Sequence, residues 1–498
     1  MTYLEQSTES STADPEVLDE WTTAEAKRTE LEPEPAPHPT AVERAALGKA
    51  ARDKVPRSAH AGWEPAPNRH DPIELLEEQA GTRLPELGPL RYRRMLRSPF
   101  AFFRGGAHLM AADLAHGTRT GLHAQLCGDA HLSNFGIFAS PDRRLVFSIN
   151  DFDETLPGPF EWDVKRLAAS FAVAGRDRGF DEPERRTIVT AAVSEYRTAM
   201  AAFAAMRNLD VWYARLDVAG MLERFGSGMS AKQKKRFQAN FAKVRTKDSM
   251  RALAKLCASV DGELRIVGDP PRITPIEDVL PGAEVEHLED TIRRMVRGYR
   301  RSLPRDRRKL LETYRYVHAA RKVGGVGSVG TRAWILLLLG RDDQDPLFLQ
   351  FKEAQASVLE RFLGRSEFAQ HGQRVVEGQR MMQAAPDMML GWERIIAIDG
   401  ETKDFYIRQL WDKKASAEIE LMDPSGLAAY GRVCGWTLAR AHARSGDRIA
   451  IAAYLGKGDS FDRAMASFAE TYADQNERDY GALQDAVASG RVLAEVDV

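Results

Sequence analysis

Apolar residues begin to recur at regular intervals at Ile73, and the interval between them changes several times along the chain. Residues 90–115 follow the helical period, but the pair Ser98-Pro99 interrupts it, so two helices are predicted there. The apolar run Leu122–Leu126 predicts a short strand. The first structured part of the chain is therefore expected to pass from helices into a sheet.

A β-hairpin is predicted next, because two apolar runs flank a turn sequence. The runs are Phe135–Phe138 and Leu145–Ile149, and the turn between them begins with the letters SPD. Residues 160–320 are then predicted to be mainly helical from their period and composition.

The pattern changes at Lys322, after which glycines cluster and strand-like runs replace the helical period. One helical stretch, Gly372–Ala384, lies among these runs, and residues 427–487 are helical again. We therefore predict an α+β fold with a large helical lobe and a small antiparallel-sheet lobe. The runs that predict strands are Ala333–Leu339, Leu347–Phe351, Arg394–Ile398 and Phe405–Leu410.

The N-terminal segment has a different composition. Residues 1–40 carry ten acidic residues, with Lys27 and Arg28 as their only lysine and arginine, and prolines alternate with other residues at 33–39. Such a sequence buries too little apolar surface to offset its chain entropy. Residues 1–70 are therefore predicted to form a disordered tail, with a short helix near Ala41–Arg52.

Composition narrows the class of protein. The chain has 498 residues, of which 43% are hydrophobic and 29% charged, and its net charge is −2. These values are those of an ordinary globular protein and give no indication of nucleic-acid binding. Three widely spaced cysteines form neither a disulfide framework nor a zinc pattern, which favours a cytoplasmic protein. The N-terminus lacks a secretory signal, and no apolar run is long enough to span a membrane.

The segment GDAHLSN, residues 128–134, is the first that can carry chemistry. It places a carboxylate, Asp129, and a carboxamide, Asn134, on one short predicted loop. Such a loop can direct both side chains into one site. There the carboxylate can orient or accept a hydroxyl proton, and the amide oxygen can bind a hard cation such as Mg²⁺.

The segment NDFDE, residues 150–154, lies at the end of a predicted strand. Its carboxylates, including Asp151 and Asp153, repel one another unless a divalent cation neutralises them. A polar loop with an Asx turn is an equally good explanation of either segment alone, but a predicted hairpin joins the two, which favours one metal site. Asp163, on the following helix, either caps that helix or supports the loop.

A glycine-rich segment, residues 325–330, matches the pattern GxGxxG. Helix-like sequence precedes it and a strand follows, which is the reverse of a dinucleotide-binding turn. The context favours a glycine-rich hairpin that covers nucleotide phosphates.

Lys352 lies in the predicted strand LFLQFKEA, where it should share one side of the sheet with Gln350. It is either an edge-strand charge at the surface or a residue that holds the α- and β-phosphates. Glu377, on the next helix, is its predicted ion-pair partner, and Glu353 and Glu360 are rivals for that position.

Other polar residues have two explanations each. Arg104 either contacts a phosphate or pairs with a carboxylate, and His131 is better explained as a brace of its loop than as a metal ligand. The residues His442, Arg444 and Asp447 either lie near the site or form the polar end of a helix.

Together these segments resemble the protein-kinase-like fold, and within it the aminoglycoside and choline phosphotransferases. Those proteins carry a G-D-x-x-x-x-N loop, an I-D-F-D strand end and a further Asp on the next helix. The resemblance implies that Asp129 is the catalytic aspartate and that Asn134, Asp151 and Asp153 bind Mg²⁺. It implies that the nucleotide is positioned by Gly325, Gly327, Ser328 and Gly330, and that Lys352 and Glu377 form the ion pair of the small lobe. The hinge that contacts adenine would be formed by Gln409, Leu410 and Trp411.

Residues 90–450 also resemble an uncharacterised bacterial family, domain of unknown function 2252, in segments such as CGDAHLSNFG, NDFDETLPGPFEWD and LARAHARSGD. In ordinary kinases the glycine-rich loop and the lysine precede the catalytic loop, whereas here they follow it. A circular permutation accounts for this order and is tolerable in a compact domain. The predicted division is then 1–70 for the tail, 71–320 for the catalytic loop and helical lobe, 321–415 for the small sheet lobe and 416–498 for C-terminal helices.

The function implied by this resemblance is Mg²⁺-dependent phosphoryl transfer from ATP to a hydroxyl group of an unidentified small molecule. The same residues would transfer AMP if the nucleotide bound in the reverse direction. A nucleotide-binding pseudokinase and a metal-dependent phosphoesterase are further alternatives.

Overall fold

The computed structural model describes residues 38–226, 248–279, 283–396, 400–410 and 414–495, together with residues 235, 239, 241, 244 and 246. The contacts divide the chain into two units, Met1–Glu43 and Arg44–Val498. In the first unit the described residues, 38–43, include the start of the first helix. The architecture below is that of the second unit.

Helices make up most of the regular structure in the described ranges. They are α1 (Ala41–Lys54), α2 (Pro72–Ala80), α3 (Gly88–Met95), α4 (Pro99–Gly105), α5 (Ala107–Ala115), α6 (Phe160–Asp177), α7 (Glu182–Ala205), α8 (Asn208–Tyr213), α9 (Val218–Phe225), α10 (Ser249–Leu256), α11 (Ile276–Val279), α12 (Ala283–Tyr299), α13 (Arg305–Leu311), α14 (Glu360–Leu363), α15 (His371–Met382), α16 (Pro424–Ser445), α17 (Arg448–Leu455) and α18 (Ser460–Ala488).

Short strands lie among these helices and form antiparallel sheets. They are β1 (His123–Leu126), β2 (Phe135–Ala139), β3 (Leu145–Ile149), β4 (Leu156–Pro159), β5 (Leu216–Asp217), β6 (Cys257–Val260), β7 (Glu263–Ile266), β8 (Ile273–Pro275), β9 (Arg315–Lys322), β10 (Ala333–Leu339), β11 (Pro346–Ala354), β12 (Gly391–Ile396), β13 (Thr402–Gln409) and β14 (Ala415–Ser416).

The largest sheet has six strands in the order β12-β13-β11-β10-β9-β8, and all neighbours are antiparallel. Because side chains alternate along β11, Leu349 and Phe351 pack against α12, whereas Phe348 packs on the opposite face near α10. Lys352 shares that opposite face and is paired with Ala333 of β10 and with Tyr406 of β13. It therefore lies in an interior strand, not at an edge.

Two further strand pairings bring the polar segments together. In the hairpin of β2 and β3, Phe135 is opposite Ile149, so the residues just outside the hairpin, Asn134 and Asn150, become neighbours. Their backbones are joined by a 2.8 Å hydrogen bond from Asn150 N to Asn134 O. Strands β1 and β4 pair in the same way, with Leu126 opposite Leu156.

The helical core is built around α6, α7, α16 and α18. Helix α16 packs along α7 so closely that a Cβ at Gly435 would lie 2.1 Å from the carbonyl oxygen of Ala192. Backbone contact of this kind is possible only where a side chain is missing. Among the described residues, no helix combines the length and apolar character needed to cross a membrane.

The α+β class is confirmed, as are the hairpin, the helix break at Ser98 and the runs that predict strands from Ala333 onward, except that residues 397 and 398 of the run Arg394–Ile398 lie outside the described residues. The described part of 160–320 is mainly helical, as predicted, and also holds the short strands β5 to β8 and most of β9. One prediction needs correction. Residues 41–70 do not belong to a disordered tail, because Arg69 forms ion pairs with Asp113 and Asp479, and His60 is buried.

We expect Gly435→Ala to lower the free energy of unfolding by about 1–3 kcal/mol, because the added methyl group would force α16 away from α7. Gly481→Ala is the matched control. Gly481 lies within α18 with open space at the Cβ position, so this change should stabilise the protein by about 0.5–1 kcal/mol. Urea unfolding of both variants tests the packing, and equal effects would contradict it.

Candidate functional site

The two polar segments form adjacent loops at the ends of the paired strands. The first loop, residues 127–134, joins β1 to β2, and the second, residues 150–155, joins β3 to β4. Gly128 allows their close approach: its φ is +82°, and a Cβ there would lie 2.2 Å from the carbonyl oxygen of Glu154. Both requirements exclude a larger residue at this position.

Asp163, on α6, fixes the first loop from behind. Its carboxylate accepts hydrogen bonds from Cys127 N at 2.8 Å and Gly128 N at 3.1 Å. His442 of α16 lies 3.3 Å away through Nε2 and contacts Tyr196 through its other ring nitrogen. Asp163 therefore supports the loop and does not cap its helix, and His442 supports Asp163.

Asp129 is held by an arginine that sequence analysis did not identify. Arg166 of α6 approaches Asp129 Oδ1 with Nη2 at 2.7 Å and Nε at 2.9 Å. Burial raises the pKa of Asp129, and the charge of Arg166 opposes that rise. Arg166 follows Asp163 by three residues on one helix, which is the spacing that places two side chains on a common face. That spacing was the available signal.

Asn134 and Asp151 present oxygen atoms beside Asp129. Asn134 Nδ2 donates to the backbone carbonyl of Asp129 at 2.7 Å, which leaves the amide oxygen as the atom that can accept a cation. Asp151 Oδ1 accepts a hydrogen bond from Asp153 N at 3.2 Å. Burial would raise the pKa of Asp151, but Lys352 and Arg408 lower it to about 2, so the carboxylate is ionised at neutral pH.

Lys352 reaches the second acidic loop from the six-stranded sheet. Its Nζ contacts Asp153 directly and lies 3.9 Å from Asp151 Oδ2. Tyr406 of β13 completes the group by donating to Asp153 Oδ1 at 2.8 Å. Burial and the neighbouring Asp151 raise the pKa of Asp153, whereas Lys352 lowers it.

The predicted ion pair of Lys352 with Glu377 is therefore not formed. Glu377 Oε1 pairs with Arg380 one turn along α15, at 2.9 Å. The residue of α15 that points toward the loops is Arg374, which donates to the backbone carbonyls of Asp153 and Thr155. The two alternative partners do not pair with Lys352 either, since Glu353 contacts Arg332, and Glu360 lies near Arg374 and His371.

The glycine-rich segment lies between β9 and β10 and turns through a 3₁₀ helix, Val326–Ser328. Two arginines of the N-terminal region hold it in place: Arg94 of α3 donates to the carbonyl of Gly324, and Arg83, in the connection between α2 and α3, donates to that of Val329 at 2.5 Å. Ser328 N donates back to the carbonyl of Gly325 at 2.9 Å.

These parts surround one cavity of about 280 Å³, which we call the central cavity. The structure thus brings together Asp129, the predicted metal ligands Asn134 and Asp151 and most of the glycine-rich segment, whereas the third predicted ligand, Asp153, is not part of the lining. It also adds cations, of which only Arg104 and Lys352 were singled out from the sequence. The lining is Arg104, Asp129, His131, Asn134, Asp151, Lys322–Ser328, Ala333, Gln350, Lys352 and Arg408. Gly330, with a φ of +92°, lies outside this lining and closes the turn.

A second cavity of about 280 Å³ adjoins the first, and we call it the side cavity. Lys322, Gln350 and Arg408 line both cavities. The predicted hinge residues Gln409 and Leu410 line the side cavity, whereas Trp411 lies outside the described residues. The remaining lining is Phe138, Ala139, Pro141, Arg143, Asn150, Gln379, Gln383, Asp387, Met388 and Lys414.

Other candidates are placed away from the cavities. Arg444 lies over the ring of Trp212, 4.1 Å from its centroid, and Asp447 caps α17. Arg408 and Tyr406 were missed by sequence analysis. Tyr406 and Arg408 lie two positions apart on β13, on either side of buried Ile407, and this alternation could have indicated that both share the face of Lys352.

The donor set fits Mg²⁺. Within the described ranges, no three His, Cys, Asp or Glu side chains form a group that would hold a metal ion by themselves. Mg²⁺, however, is usually bound by one or two protein carboxylates and completes its shell with water and phosphate oxygens. Asn134 and Asp151, which line one cavity with the glycine-rich turn, are donors of that kind.

The fold and the site define an α+β protein with a polar, charged cavity at the junction of two antiparallel sheets. Residues 83–486 match the bacterial family of uncharacterized proteins DUF2252, and the chain belongs to that family. No curated protein and no solved structure matches the chain.

We expect Gly128→Ala to destabilise the fold more than Gly121→Ala. Both glycines have positive φ, +82° and +75°, so each change should cost about 1 kcal/mol for the backbone alone. Only at Gly128 does a methyl group meet a backbone carbonyl, which should add about 1–3 kcal/mol. Chemical unfolding measures the difference, and its absence would contradict the close approach of the two loops.

We expect Lys352→Met to lower the stability at pH 7 by about 1–3 kcal/mol, because it leaves two half-buried carboxylates without their cation. In the wild type the lowered pKa of Asp151 stabilises the fold above about pH 4, and this contribution is lost as the pH falls toward 2. In the variant the carboxylates bind protons more tightly in the folded state, so the deficit should shrink between pH 7 and about pH 4.5.

The measurement is urea unfolding of both proteins at the two pH values. Lys309→Met, which removes an exposed lysine of α13, is the control and should have little effect at either pH. An equal deficit for Lys352→Met at both pH values would show that the loss is one of packing and not of charge pairing.

Proposed function

We propose that the protein is a Mg²⁺- and ATP-dependent transferase that moves a phosphorus-containing group from the nucleotide to a hydroxyl group of a small molecule. The observation that carries this proposal is the convergence on one cavity of Asp129, Asn134, Asp151 and Lys352 with the glycine-rich turn. Lys352 and its partner Asp153 are 199 residues apart in sequence, so the fold itself assembles the site.

The order of elements supports a protein-kinase-like architecture in permuted form. Strand β9, the glycine-rich turn, β10 and the lysine strand β11 follow one another, and then come α15, β12 and β13. These strands are adjacent and antiparallel in one sheet. Helix α16 then packs against β1, which leads directly into the Asp129 loop. The kinase-like order is recovered if α16 is regarded as the element preceding that loop.

In this proposal Asp129 orients the acceptor hydroxyl and takes its proton, and Arg166 holds the carboxylate in position. Asn134 and Asp151 hold Mg²⁺, which supplies neutralisation of phosphate charge. Lys352 and the backbone of the glycine-rich turn bind phosphate oxygens. Catalysis then consists mainly of positioning and charge stabilisation.

The pairing of Lys352 with Asp153 is consistent with this scheme. A lysine between two carboxylates offsets their repulsion, and Lys352 and Asp151 both line the cavity that would receive the nucleotide. A small-molecule acceptor is favoured by the resemblance to aminoglycoside and choline phosphotransferases. The resemblance by itself implies transfer of the γ-phosphoryl group.

The test is calorimetric titration of Mg²⁺–ATP into the wild type and into Asp151→Asn. We expect binding that EDTA abolishes and that weakens at least 10-fold in Asp151→Asn, because the variant loses a charged ligand of the metal. Asp474→Asn, at an exposed carboxylate of α18, is the matched control and should bind as the wild type does.

Asp129→Asn separates binding from catalysis. It should retain Mg²⁺–ATP binding but lower the slow transfer to water by about 10²–10³-fold, because the proton acceptor is lost. Separation of the nucleotide products by chromatography measures this rate. A wild-type protein that does not bind Mg²⁺–ATP, or an Asp151→Asn variant that binds it equally well, would refute the proposed function.

A further inference from the structure

The lining of the side cavity combines apolar residues with four cations, Arg143, Lys322, Arg408 and Lys414. Lys322, Arg408 and Lys414 line it, and neither lysine lies within ion-pair distance of a carboxylate in the described part of the chain. Arg408 donates hydrogen bonds to two neutral oxygens, Gln350 Oε1 and the carbonyl of Asn150, each at 3.2 Å. The two lysines therefore bring positive charge into this cavity that no carboxylate of the described residues neutralises by direct contact.

Two further polar groups lie in the wall of this cavity. Asn150 Nδ2 is a buried donor without a hydrogen-bond partner. Asp387 is the carboxylate among the described lining residues, and both its oxygens are engaged: Oδ1 accepts from Met389 N at 2.8 Å, and Oδ2 accepts from Gln409 N at 2.6 Å. Asp387 thus holds the backbone of the cavity wall.

The titration of the two lysines agrees with this charge balance. Burial, together with Arg408 nearby, lowers the pKa of Lys414 to about 7 and that of Lys322 to about 8. A bound anion would offset both the desolvation and the repulsion between the cations.

Phe138, Met388 and Leu410 give this cavity apolar surface, but its described hinge backbone has no N–H left for the edge of an adenine ring. A base is usually held by apolar surface on its faces and by a few backbone groups at its edge. The N–H of Gln409 is already bonded to Asp387, and the N–H of Leu410 donates to the carbonyl of Phe348 at 2.9 Å. On β11, the position that faces this cavity is occupied by the polar Gln350. The described part of the predicted hinge therefore offers no N–H for a base.

We propose that the side cavity binds the terminal phosphates of the nucleotide, so that ATP lies reversed and its α-phosphorus faces Asp129. This inference rests on the proposed function and specifies the transferred group as AMP. The shared walls support it, because Lys322 and Arg408 line both cavities and form a continuous cationic path from the acidic loops to Lys414.

The reaction then balances without a further reactant. The oxygen of the acceptor hydroxyl forms a bond to the α-phosphorus, and the bond from the α-phosphorus to the α,β-bridging oxygen breaks. The electron pair of that bond leaves with pyrophosphate, which the side cavity holds. The hydroxyl proton passes to the carboxylate of Asp129.

Lys414→Met tests the inference, because Lys414 lines the side cavity and not the central one. Lys414 is half-buried and forms no ion pair with the described residues, so removing its charge should leave the fold intact. The probes are inorganic tripolyphosphate, Mg²⁺–ATP and adenosine, each titrated by calorimetry, with Lys309→Met as the control at an exposed lysine. We expect Lys414→Met to weaken tripolyphosphate and ATP at least 10-fold and to leave adenosine unchanged.

Unchanged tripolyphosphate binding by Lys414→Met would overturn the inference, because the phosphates would then bind away from the side cavity. Tighter binding of adenosine would also overturn it, because the base would then occupy that cavity. The products of slow attack by water give a second readout. AMP with pyrophosphate supports the reversed nucleotide, and ADP with phosphate refutes it.

Failure of this inference and failure of the proposed function give different results. If ATP binding depends on Asp151 but not on Lys414, and ADP is the product, only the reversed orientation of the nucleotide is refuted. The proposed function then stands as transfer of the phosphoryl group. ATP binding that does not depend on Mg²⁺ or Asp151 removes the proposed function, even if tripolyphosphate still requires Lys414.

Discussion

The ion cluster of Lys352 with Asp151 and Asp153 is the contact on which the site depends. It joins an interior strand of the six-stranded sheet to the loop after β3, between residues 199 positions apart in sequence. Charges that are buried together are stable only when each is paired, because the cost of removing them from water is large. Loss of any member therefore affects both the relative placement of the sheet and the loop and the charge of the cavity.

Backbone geometry places the acidic loops with equal strictness. The pairs Phe135–Ile149 and Leu126–Leu156 set the register of two strand pairs, and a slip of one residue would turn Asn134 and Asp151 away from each other. Gly128 and Asp163 complete the arrangement, one by permitting contact with Glu154 and the other by accepting two loop N–H groups. Strand register and close backbone packing thus position the two acidic loops, independently of the charges that their side chains carry.

Sequence analysis predicted the elements whose pattern is local. The strand Ala333–Leu339 has the bounds of β10, and the helix at 372–384 differs from α15 by one or two residues. It did not predict β8 and β9, because short strands such as RYVHAARK carry charges at both ends and are fixed by pairing with β10. The packed segment 44–70 was missed for a similar reason, since contacts with distant parts of the chain attach it, among them the ion pairs of Arg69 with Asp113 and Asp479 and the burial of Trp63.

The candidate site shows the same division. Residues within one motif, such as Asp129 and Asn134, could be paired from spacing alone. Contacts between motifs could not: Arg166 and Tyr406 were not identified, and Glu377 was assigned to Lys352 although α15 turns it toward Arg380. The partner of a charged side chain depends on the rotation of its helix and on neighbours from distant parts of the chain, and the sequence of one segment predicts neither.

The central claim is that one cavity binds Mg²⁺ and nucleotide through the two acidic loops. A crystal structure of the protein with Mg²⁺ and a non-hydrolysable ATP analogue tests this claim most directly. The account predicts a metal ion about 2.1 Å from the oxygens of Asn134 and Asp151, with phosphates beneath the glycine-rich turn. Nucleotide bound elsewhere, or a metal ion that touches neither residue, would contradict it.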